Sequence, residues 1–182
     1  MKRIIFLTGR PGVGKTTVLS KVMEKLQFEG YSVGGIVSRE IRERYSRVGF
    51  ESLDILTRRR GILAHIKQPT GPRLGKYRVN IEDLDSIGAN AIRNASREAD
   101  IIIIDEIGPM ELFSDAFRDS VIDAINSQKT VLGTIHYMVN DPLITLIKNR
   151  KDVEIVEVTP ENRETLHEYI QRLISGKLRE KW

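Results

Sequence analysis

Cysteine is absent from the 182 residues of this chain, and aromatic residues make up only 6% of it. The missing cysteine excludes disulfide bonds, thiolate metal sites and cysteine nucleophiles. Apolar runs are short, and none approaches the ~20 residues of a membrane-spanning helix. The first residues predict a strand and carry no secretory signal. We therefore expect a cytoplasmic protein without a membrane partner, folded as a single domain over residues 1–182.

Positive charge is concentrated in one part of the chain. The formal net charge is +4, yet residues 39–78 contain eleven Lys or Arg and only four Asp or Glu, a local charge of +7. A basic segment of this kind covers a bound nucleotide, attracts nucleic acid or forms a solvated hairpin. Because few aromatic side chains are present to stack on bases, a nucleic-acid partner is the least favoured of these three interpretations.

A glycine-rich run near the start fits the phosphate-loop (P-loop) pattern: a glycine, four free positions, then Gly-Lys and Ser or Thr. The run consists of Gly9, Arg10, Pro11, Gly12, Val13, Gly14, Lys15, Thr16 and Thr17. A loop around a triphosphate turns its backbone N–H groups inward, and glycines permit the dihedral angles that this requires. The run also lies between a short apolar strand and an amphipathic helix, which favours a P-loop over an ordinary glycine-rich turn.

The P-loop pattern predicts roles for individual residues. We expect Lys15 to act as a catalytic cation on the β- and γ-phosphates, and the Thr16 hydroxyl to coordinate Mg²⁺. The helix that begins near Gly14 directs the positive end of its dipole at the bound anion. The loop as a whole is therefore predicted to bind the phosphates of a nucleotide.

A second part of the site follows four consecutive isoleucines, residues 101–104, which predict a strand buried on both faces. Asp105 is predicted to hold Mg²⁺ at the end of this strand. Glu106, just past the strand end, is predicted to swing towards the γ-phosphate and to orient or deprotonate the attacking water. The alternative is a pair of solvated acids, which the P-loop upstream makes the weaker interpretation.

Other polar residues are less specific candidates. Thr134, at the end of a later strand, either contacts the γ-phosphate or satisfies only backbone groups. His136 is a candidate for a phosphate or water contact, and metal ligation is disfavoured because no other histidine lies at ligand spacing. A further cation is needed where charge develops in the transition state. Its candidates are Arg10, Arg39, Arg42, Arg73 and Lys76.

Strands and helices alternate along the chain, which predicts an α/β fold with a doubly wound, mainly parallel sheet of the P-loop type. Two apolar runs separated by Arg58-Arg59-Arg60-Gly61 predict a small β-hairpin insertion around residues 47–67. Strands are predicted at 2–8, 32–38, 100–106, 130–135 and 153–158, and helices at 14–29, 80–98, 113–127 and 139–149. Thr159-Pro160 is predicted to cap the last helix, and residues 68–76 to form a loop.

With these residues in view, the chain resembles the thermophilic nucleoside-triphosphatase family, which includes the cancer-related nucleoside triphosphatase of animals. The resemblance covers nearly the whole chain. It depends on residues 8–17, on the basic segment from Arg39 to Phe50, on Leu74-Gly75-Lys76-Tyr77 and above all on Asp105-Glu106-Ile107-Gly108-Pro109-Met110-Glu111. The last string is the most specific, because Gly108 and Met110-Glu111 have no role in the general mechanism. One departure is Arg44-Tyr45-Ser46-Arg47, where the family pattern has a glycine pair between the arginines.

The resemblance implies a Mg²⁺-dependent hydrolase of nucleoside 5′-triphosphates that accepts ATP, GTP, CTP and UTP. It implies the P-loop branch in which an additional strand separates the two nucleotide motifs, with Glu106 as the catalytic glutamate. The alternatives are a P-loop kinase of a small molecule or nucleoside, and a nucleotide-gated switch or nucleic-acid-associated ATPase. A guanine-selective switch is disfavoured, because the chain has no Asn-Lys-x-Asp string.

Overall fold

The computed structural model of the chain describes residues 2–179, in which strands and helices alternate except over residues 33–79, where five strands follow one another. In chain order the elements are β1 (Ile4–Thr8), α1 (Lys15–Phe28), β2 (Val33–Glu43), β3 (Ser46–Asp54), β4 (Arg60–His65), β5 (Arg73–Leu74), β6 (Tyr77–Val79), α2 (Ile81–Asp83), a π-helical segment (Leu84–Ala89), α3 (Asn90–Glu98), β7 (Ile101–Ile107), a 3₁₀ turn (Glu111–Phe113), α4 (Asp115–Asn126), β8 (Thr130–Ile135), α5 (Pro142–Lys148), β9 (Val153–Glu157) and α6 (Leu166–Arg179).

All of these strands belong to one sheet, in the order β5-β6-β4-β3-β2-β7-β8-β1-β9. The five strands from β2 to β9 in this order pair in parallel, while β3, β4, β6 and β5 extend the sheet from β2 by antiparallel pairing. Strand β8 lies between β1, which leads into the P-loop, and β7, which carries the acidic pair. The structure therefore has the additional strand that the resemblance implies, and it confirms the predicted α/β class.

The two faces of the sheet bury separate apolar cores, and the four isoleucines of β7 contribute to both. Ile102 and Ile104 belong to the core that contains residues of α3 and α4. Ile101 and Ile103 belong to the core that contains residues of α1 and α6. All four are fully buried, which confirms the prediction of a strand covered on both faces.

The predicted hairpin at residues 47–67 is confirmed as β3 and β4. The second strand, however, was predicted to end at residue 38, and β2 continues to Glu43. The outer part of β2 is rich in charged side chains and takes its backbone hydrogen bonds from β3, a pairing that local composition does not reveal. The hairpin therefore continues the main sheet, and we call residues 38–79 the antiparallel arm.

The tip of the first hairpin is the place where the chain departs from the family pattern. Arg44 adopts φ 55°, in the left-handed region that favours glycine, and the neighbouring Tyr45 is 98% exposed. The hairpin closes nonetheless, with Glu43 paired to Ser46. Arg44 therefore adopts a backbone conformation that glycine reaches more easily than arginine.

Other boundaries differ from the predictions. The last helix begins at Leu166 and not after Thr159-Pro160, because residues 160–165 form turns whose start is held by the Asn162 side chain, which accepts from the Thr159 N–H at 2.9 Å. The predicted loop at 68–76 contains the short strand β5. The predicted helix at 80–98 is confirmed in extent but contains the π-helical segment. None of the helices within residues 2–179 combines the length and apolar character needed to cross a bilayer.

Gly35 allows β2 to pack against β7, and we predict a large loss of stability when it is replaced. Gly35 has φ +116°, and a Cβ at this position would lie 2.0 Å from the Ile103 carbonyl oxygen. We expect Gly35→Ala to lower the free energy of unfolding by about 3 kcal/mol, because backbone must move to admit the methyl group. Chemical denaturation measures the change.

Gly176→Ala is the matched control for this substitution. Gly176 lies within α6, and a Cβ there would meet no atom within 4 Å. The control is expected to raise the free energy of unfolding by roughly 0.5–1 kcal/mol, since alanine favours a helix over glycine. A Gly35→Ala protein as stable as the unsubstituted chain would contradict the prediction.

Candidate active site

A cavity of about 690 Å³ lies where the P-loop faces the carboxyl-terminal ends of β7 and β8. Gly9, Pro11, Gly12, Gly14, Lys15, Thr16 and Thr17 of the loop line it, together with Asp105, Glu106 and His136. Of the loop residues predicted from sequence, Arg10 and Val13 are not in the cavity lining. The structure thus brings the two halves of the predicted site into one cavity, although they are distant in sequence.

The P-loop has the backbone conformation that its glycines predict. Gly9, Gly12 and Gly14 have φ values of 142°, 76° and 113°. A Cβ on Gly9 would lie 2.6 Å from the Val158 carbonyl oxygen, so the loop can pass close to the end of β9 only with glycine there. Gly14 precedes α1 without a side-chain cap, which leaves the first N–H groups of that helix available to an anion.

Lys15 is held across the P-loop by backbone carbonyls. Its Nζ donates to the Gly9 oxygen at 3.0 Å and to the Arg10 oxygen at 3.4 Å. The ammonium group therefore lies at the mouth of the loop, where bound phosphates would meet it. Burial raises the pKa of Asp105 and of Glu106, and the Lys15 charge opposes this rise. For His136, burial lowers the pKa and the Lys15 charge lowers it further.

Asp105 was predicted at the end of its strand and lies inside β7, because the strand continues to Ile107. Its side chain is buried, and Oδ1 accepts a 2.5 Å hydrogen bond from the Thr134 hydroxyl. Burial raises the pKa of Asp105, while the hydroxyls of Thr134 and Thr16 oppose the rise. The Thr134 hydroxyl therefore donates to the aspartate, a contact that the sequence analysis did not predict.

The residues that would hold a magnesium ion fit the chemistry of that ion. Asp105 Oδ2 is buried and has no hydrogen-bond partner, and Thr16 offers a hydroxyl oxygen in the same cavity. Both are the hard oxygen donors that Mg²⁺ prefers. Residues 2–179 contain no group of three or more acidic or histidine side chains that could form a closed metal cage. Mg²⁺ commonly binds through one or two carboxylates, waters and substrate phosphates, so this open donor set suits it.

Glu106 lines the cavity and lies at the point where the pairing of β7 with β8 is interrupted. Ile104 pairs with Gly133, the next two residues of β7 are skipped, and Ile107 pairs with Ile135. Glu106 was predicted to lie just past the strand end, and this irregularity inside the strand instead carries it into the cavity lining. Burial and the charge of Asp105 raise the pKa of Glu106.

Glu111 is a buried acid beside Glu106 whose place in the site the sequence did not predict. It opens the 3₁₀ turn, is 5% exposed, and its Oε2 accepts the Gly108 N–H at 3.2 Å. Burial and the charge of Glu106 raise the pKa of Glu111 to about 8. The signal was present in the family-specific string, where two glutamates flank a glycine.

The far side of the cavity is a wall formed by the antiparallel arm. Arg39, Arg47 and Phe50 line it, with the Arg47 guanidinium 5.0 Å from the centre of the Phe50 ring. Arg47 Nε also donates to the Tyr77 hydroxyl at 3.0 Å, and Arg47 Nη1 donates to Glu40 at 2.8 Å. Part of the basic segment thus covers the site, while its tip is a solvated hairpin.

The five predicted cation candidates separate clearly in the structure. Arg39 lines the cavity and has no side-chain hydrogen bond or ion pair to any residue in 2–179. Arg42 is ion-paired with Glu40, and Lys76 lies over the Tyr77 ring. Arg10 and Arg73 are outside the cavity lining. Arg39 is therefore the candidate that faces the site with an uncommitted charge.

His136 follows β8 and lines the cavity opposite the P-loop. Burial and the nearby Lys15 charge lower its pKa, so the imidazole is neutral at pH 7. Its Nδ1 accepts the Met138 N–H at 3.3 Å. The position suits the predicted phosphate or water contact.

Comparison with known proteins gives a consistent result over nearly the whole chain. A family model described as NTPase matches residues 4–171. The nucleoside-triphosphatase THEP1 of Thermofilum pendens is 46% identical over 171 residues, 93% of this chain and 94% of the relative. The THEP1 of Thermotoga maritima is 44% identical over 162 residues, 89% of this chain and 90% of the relative.

Two solved structures share the fold. The crystal structure of THEP1 from the hyperthermophile Aquifex aeolicus matches with a TM-score of 0.81 at 34% identity, covering 96% of this chain and 99% of that one. The solution structure of a human cancer-related nucleoside triphosphatase also matches with a TM-score of 0.81, at 36% identity, covering 96% and 98%. The similarity therefore includes the P-loop, the acidic pair and the arm together.

Proposed function

This chain belongs to the NTPase family, and from that premise we propose that it hydrolyses the γ-phosphate of nucleoside triphosphates in a Mg²⁺-dependent reaction with broad base tolerance. The observation that carries the proposal is the meeting of Lys15, Asp105 and Glu106 in one cavity. A phosphate loop alone only binds, whereas a loop facing two carboxylates has the groups that hydrolysis requires.

The P-loop residues hold the polyphosphate. Backbone N–H groups of the loop and of the first turn of α1 surround the phosphates, and Lys15 contacts the β- and γ-phosphates. Thr16 and Asp105 would hold Mg²⁺, which when bound neutralises the charge of these phosphates. No contact in this arrangement depends on the base, which supports turnover of ATP, GTP, CTP and UTP.

Glu106 is the general base of the proposed reaction. Its carboxylate accepts a proton from water, the water oxygen bonds to the γ-phosphorus, and the bond from that phosphorus to the β,γ-bridging oxygen breaks to release the diphosphate. A raised pKa makes Glu106 a stronger base than a solvated glutamate, and the Lys15 charge helps to keep it ionised. Arg39 is placed to meet charge that develops on the transferred group.

Phosphate release from each of the four nucleotides, with Mg²⁺ or with EDTA, tests this proposal. We expect release from ATP, GTP, CTP and UTP at rates within about tenfold of one another, because the bases share the same phosphate chemistry. EDTA is expected to abolish release. Release from a single nucleotide only would contradict the broad tolerance, and undiminished release in EDTA would contradict the role of Mg²⁺.

Transfer of the phosphoryl group to an organic hydroxyl is a second candidate, favoured by the room beyond Glu106. The wall formed by the antiparallel arm includes Phe50 and Leu74 as well as Arg39 and Arg47. A single attacking water would not need so large a lined space. The same assay separates the two reactions when nucleosides are added as acceptors. Hydrolysis yields equal amounts of diphosphate and inorganic phosphate, whereas transfer yields diphosphate in excess.

A further inference from the structure

Glu111 is a buried acid that the proposed hydrolysis does not use. It lines the same cavity as Glu106 and has almost no contact with solvent. Burying a carboxyl group without a cationic partner is costly unless the group is neutral or well hydrogen-bonded. Within residues 2–179 Glu111 forms no ion pair, and the Gly108 N–H donates to its Oε2. The placement of this acid therefore needs an explanation.

The two glutamates converge on Gly108. A Cβ on this glycine would lie 2.8 Å from Glu106 Oε1 and 3.0 Å from Glu111 Oε2. Any side chain here would push the two carboxyl groups apart or displace the turn that carries Glu111. The absence of a side chain at position 108 thus permits two acids to approach in a site with little water.

Two neighbouring carboxyl groups in such a site do not both ionise readily, and their surroundings decide which one keeps the proton. Glu111 is the more deeply buried of the two, and the charges of Glu106 and Asp105 both raise its pKa. Glu106 is partly exposed to the cavity, whereas Glu111 has almost no contact with solvent. Glu111 is therefore the acid that carries the proton.

We propose that Glu111 is a positioning residue for hydrolysis, a neutral acid beside Glu106 that holds the Gly108–Glu111 turn against it. The inference rests on the proposed role of Glu106 as the base. It accounts for the part of the family-specific string, Gly108 with Met110-Glu111, that has no role in the general mechanism.

Three variants test the proposal by comparing kcat and KM for ATP. Glu111→Gln preserves the shape, stays neutral and can accept the Gly108 N–H, so its kcat at pH 7 is expected to remain within about threefold of the unsubstituted chain. Glu111→Ala removes the contact with the turn and is expected to lower kcat about tenfold with little change in KM, because Glu106 is then misplaced. Glu98→Gln, on an exposed part of α3, is expected to change neither.

The pH profile separates a neutral acid from a residue that only fills space. The titratable and charged groups that line the cavity with Glu111 are Asp105 and Glu106 from β7, Lys15 from the P-loop, His136 after β8, and Arg39, Glu40 and Arg47 from the antiparallel arm. As the pH rises above 8, ionisation of Glu111 adds a negative charge that repels the γ-phosphate, so kcat/KM is expected to fall. Glu111→Gln cannot ionise, and its profile is expected to lack this fall.

Infrared spectroscopy provides a readout that does not depend on turnover. The carbonyl stretch of a protonated carboxylic acid is expected in the unsubstituted chain at pH 7 and is expected to be missing from Glu111→Gln. Equal losses of kcat in the Gln and Ala variants, or identical pH profiles, would overturn the proposal. If the infrared band is present but no nucleotide is hydrolysed, the proposed function fails and the protonation of Glu111 stands.

Discussion

Replacing Glu106 with Gln is expected to lower turnover of ATP on the order of 10²-fold or more, the effect of removing a general base. The amide has nearly the same shape as the carboxylate, but it cannot accept a proton from the attacking water. Binding is expected to survive, because the P-loop and Lys15, which we propose to hold the phosphates, are not changed by the substitution. Phosphate release and nucleotide affinity, measured on the same preparation, test both halves of the prediction.

Glu98→Gln is the matched control for this experiment too, since it removes a carboxylate that is exposed on α3 and outside the cavity lining. Turnover in the control is expected to equal that of the unsubstituted chain. Equal turnover in Glu106→Gln would remove Glu106 from the mechanism. A loss of affinity as large as the loss of turnover would instead show that Glu106 contributes to binding.

The parts of the site that are local in sequence could be predicted from it. The P-loop is a run of nine residues, so its pattern of glycines, lysine and threonine is recognisable within one short stretch of sequence. Asp105 and Glu106 were identified because four isoleucines indicate a buried strand and acids at its end face the same edge as the P-loop. The structure places these residues in one cavity, as the sequence analysis required.

The parts that depend on distant pairing could not be predicted. Thr134 reaches Asp105 across 29 residues, because β8 is inserted next to β7 in the sheet. No local pattern marks a threonine hydroxyl as the partner of a particular carboxylate. The place of Glu111 in the site could not be predicted either, because its burial depends on how the 3₁₀ turn packs against the rest of the fold.

The role of the basic segment was ambiguous because its residues lie in different surroundings. Arg39 and Arg47 lie on the wall of the cavity, whereas Arg44 and Tyr45 form the exposed tip of a hairpin. Composition averages over these environments, and only the register of β2 against β3 separates them. Lining the cavity and forming an exposed hairpin tip therefore describe different residues of the same segment.

The buried carboxylate of Asp105 is expected to lower the stability of the fold and to support turnover, and Asp105→Asn tests both effects. The carboxylate is buried, one of its oxygens has no partner, and burial raises its pKa. A raised pKa means that the folded chain favours the protonated form, so ionisation at pH 7 lowers the free energy of unfolding. The neutral amide avoids this effect. Below the ordinary pKa of 3.8 the acid is protonated in the unfolded chain too, and the difference disappears.

Without Mg²⁺, we therefore expect Asp105→Asn to unfold at a higher temperature than the unsubstituted chain. The free energy of unfolding is expected to rise by about 1–2 kcal/mol, which corresponds to a few degrees in melting temperature. Turnover is expected to fall by about 10²–10³-fold, because the amide attracts Mg²⁺ far less than a carboxylate does. The rise in melting temperature on adding Mg²⁺ and ADP should shrink for the same reason.

Asp119→Asn, on the exposed face of α4, is the control for the effect of removing an aspartate charge, and we expect it to change neither melting temperature nor turnover appreciably. If Asp105→Asn melts lower than the unsubstituted chain in EDTA, the hydrogen bond from Thr134 outweighs the cost of the buried charge. If it also turns over normally, Asp105 does not hold the metal. A variant that is more stable but inactive is the result expected if the buried Asp105 carboxylate holds Mg²⁺.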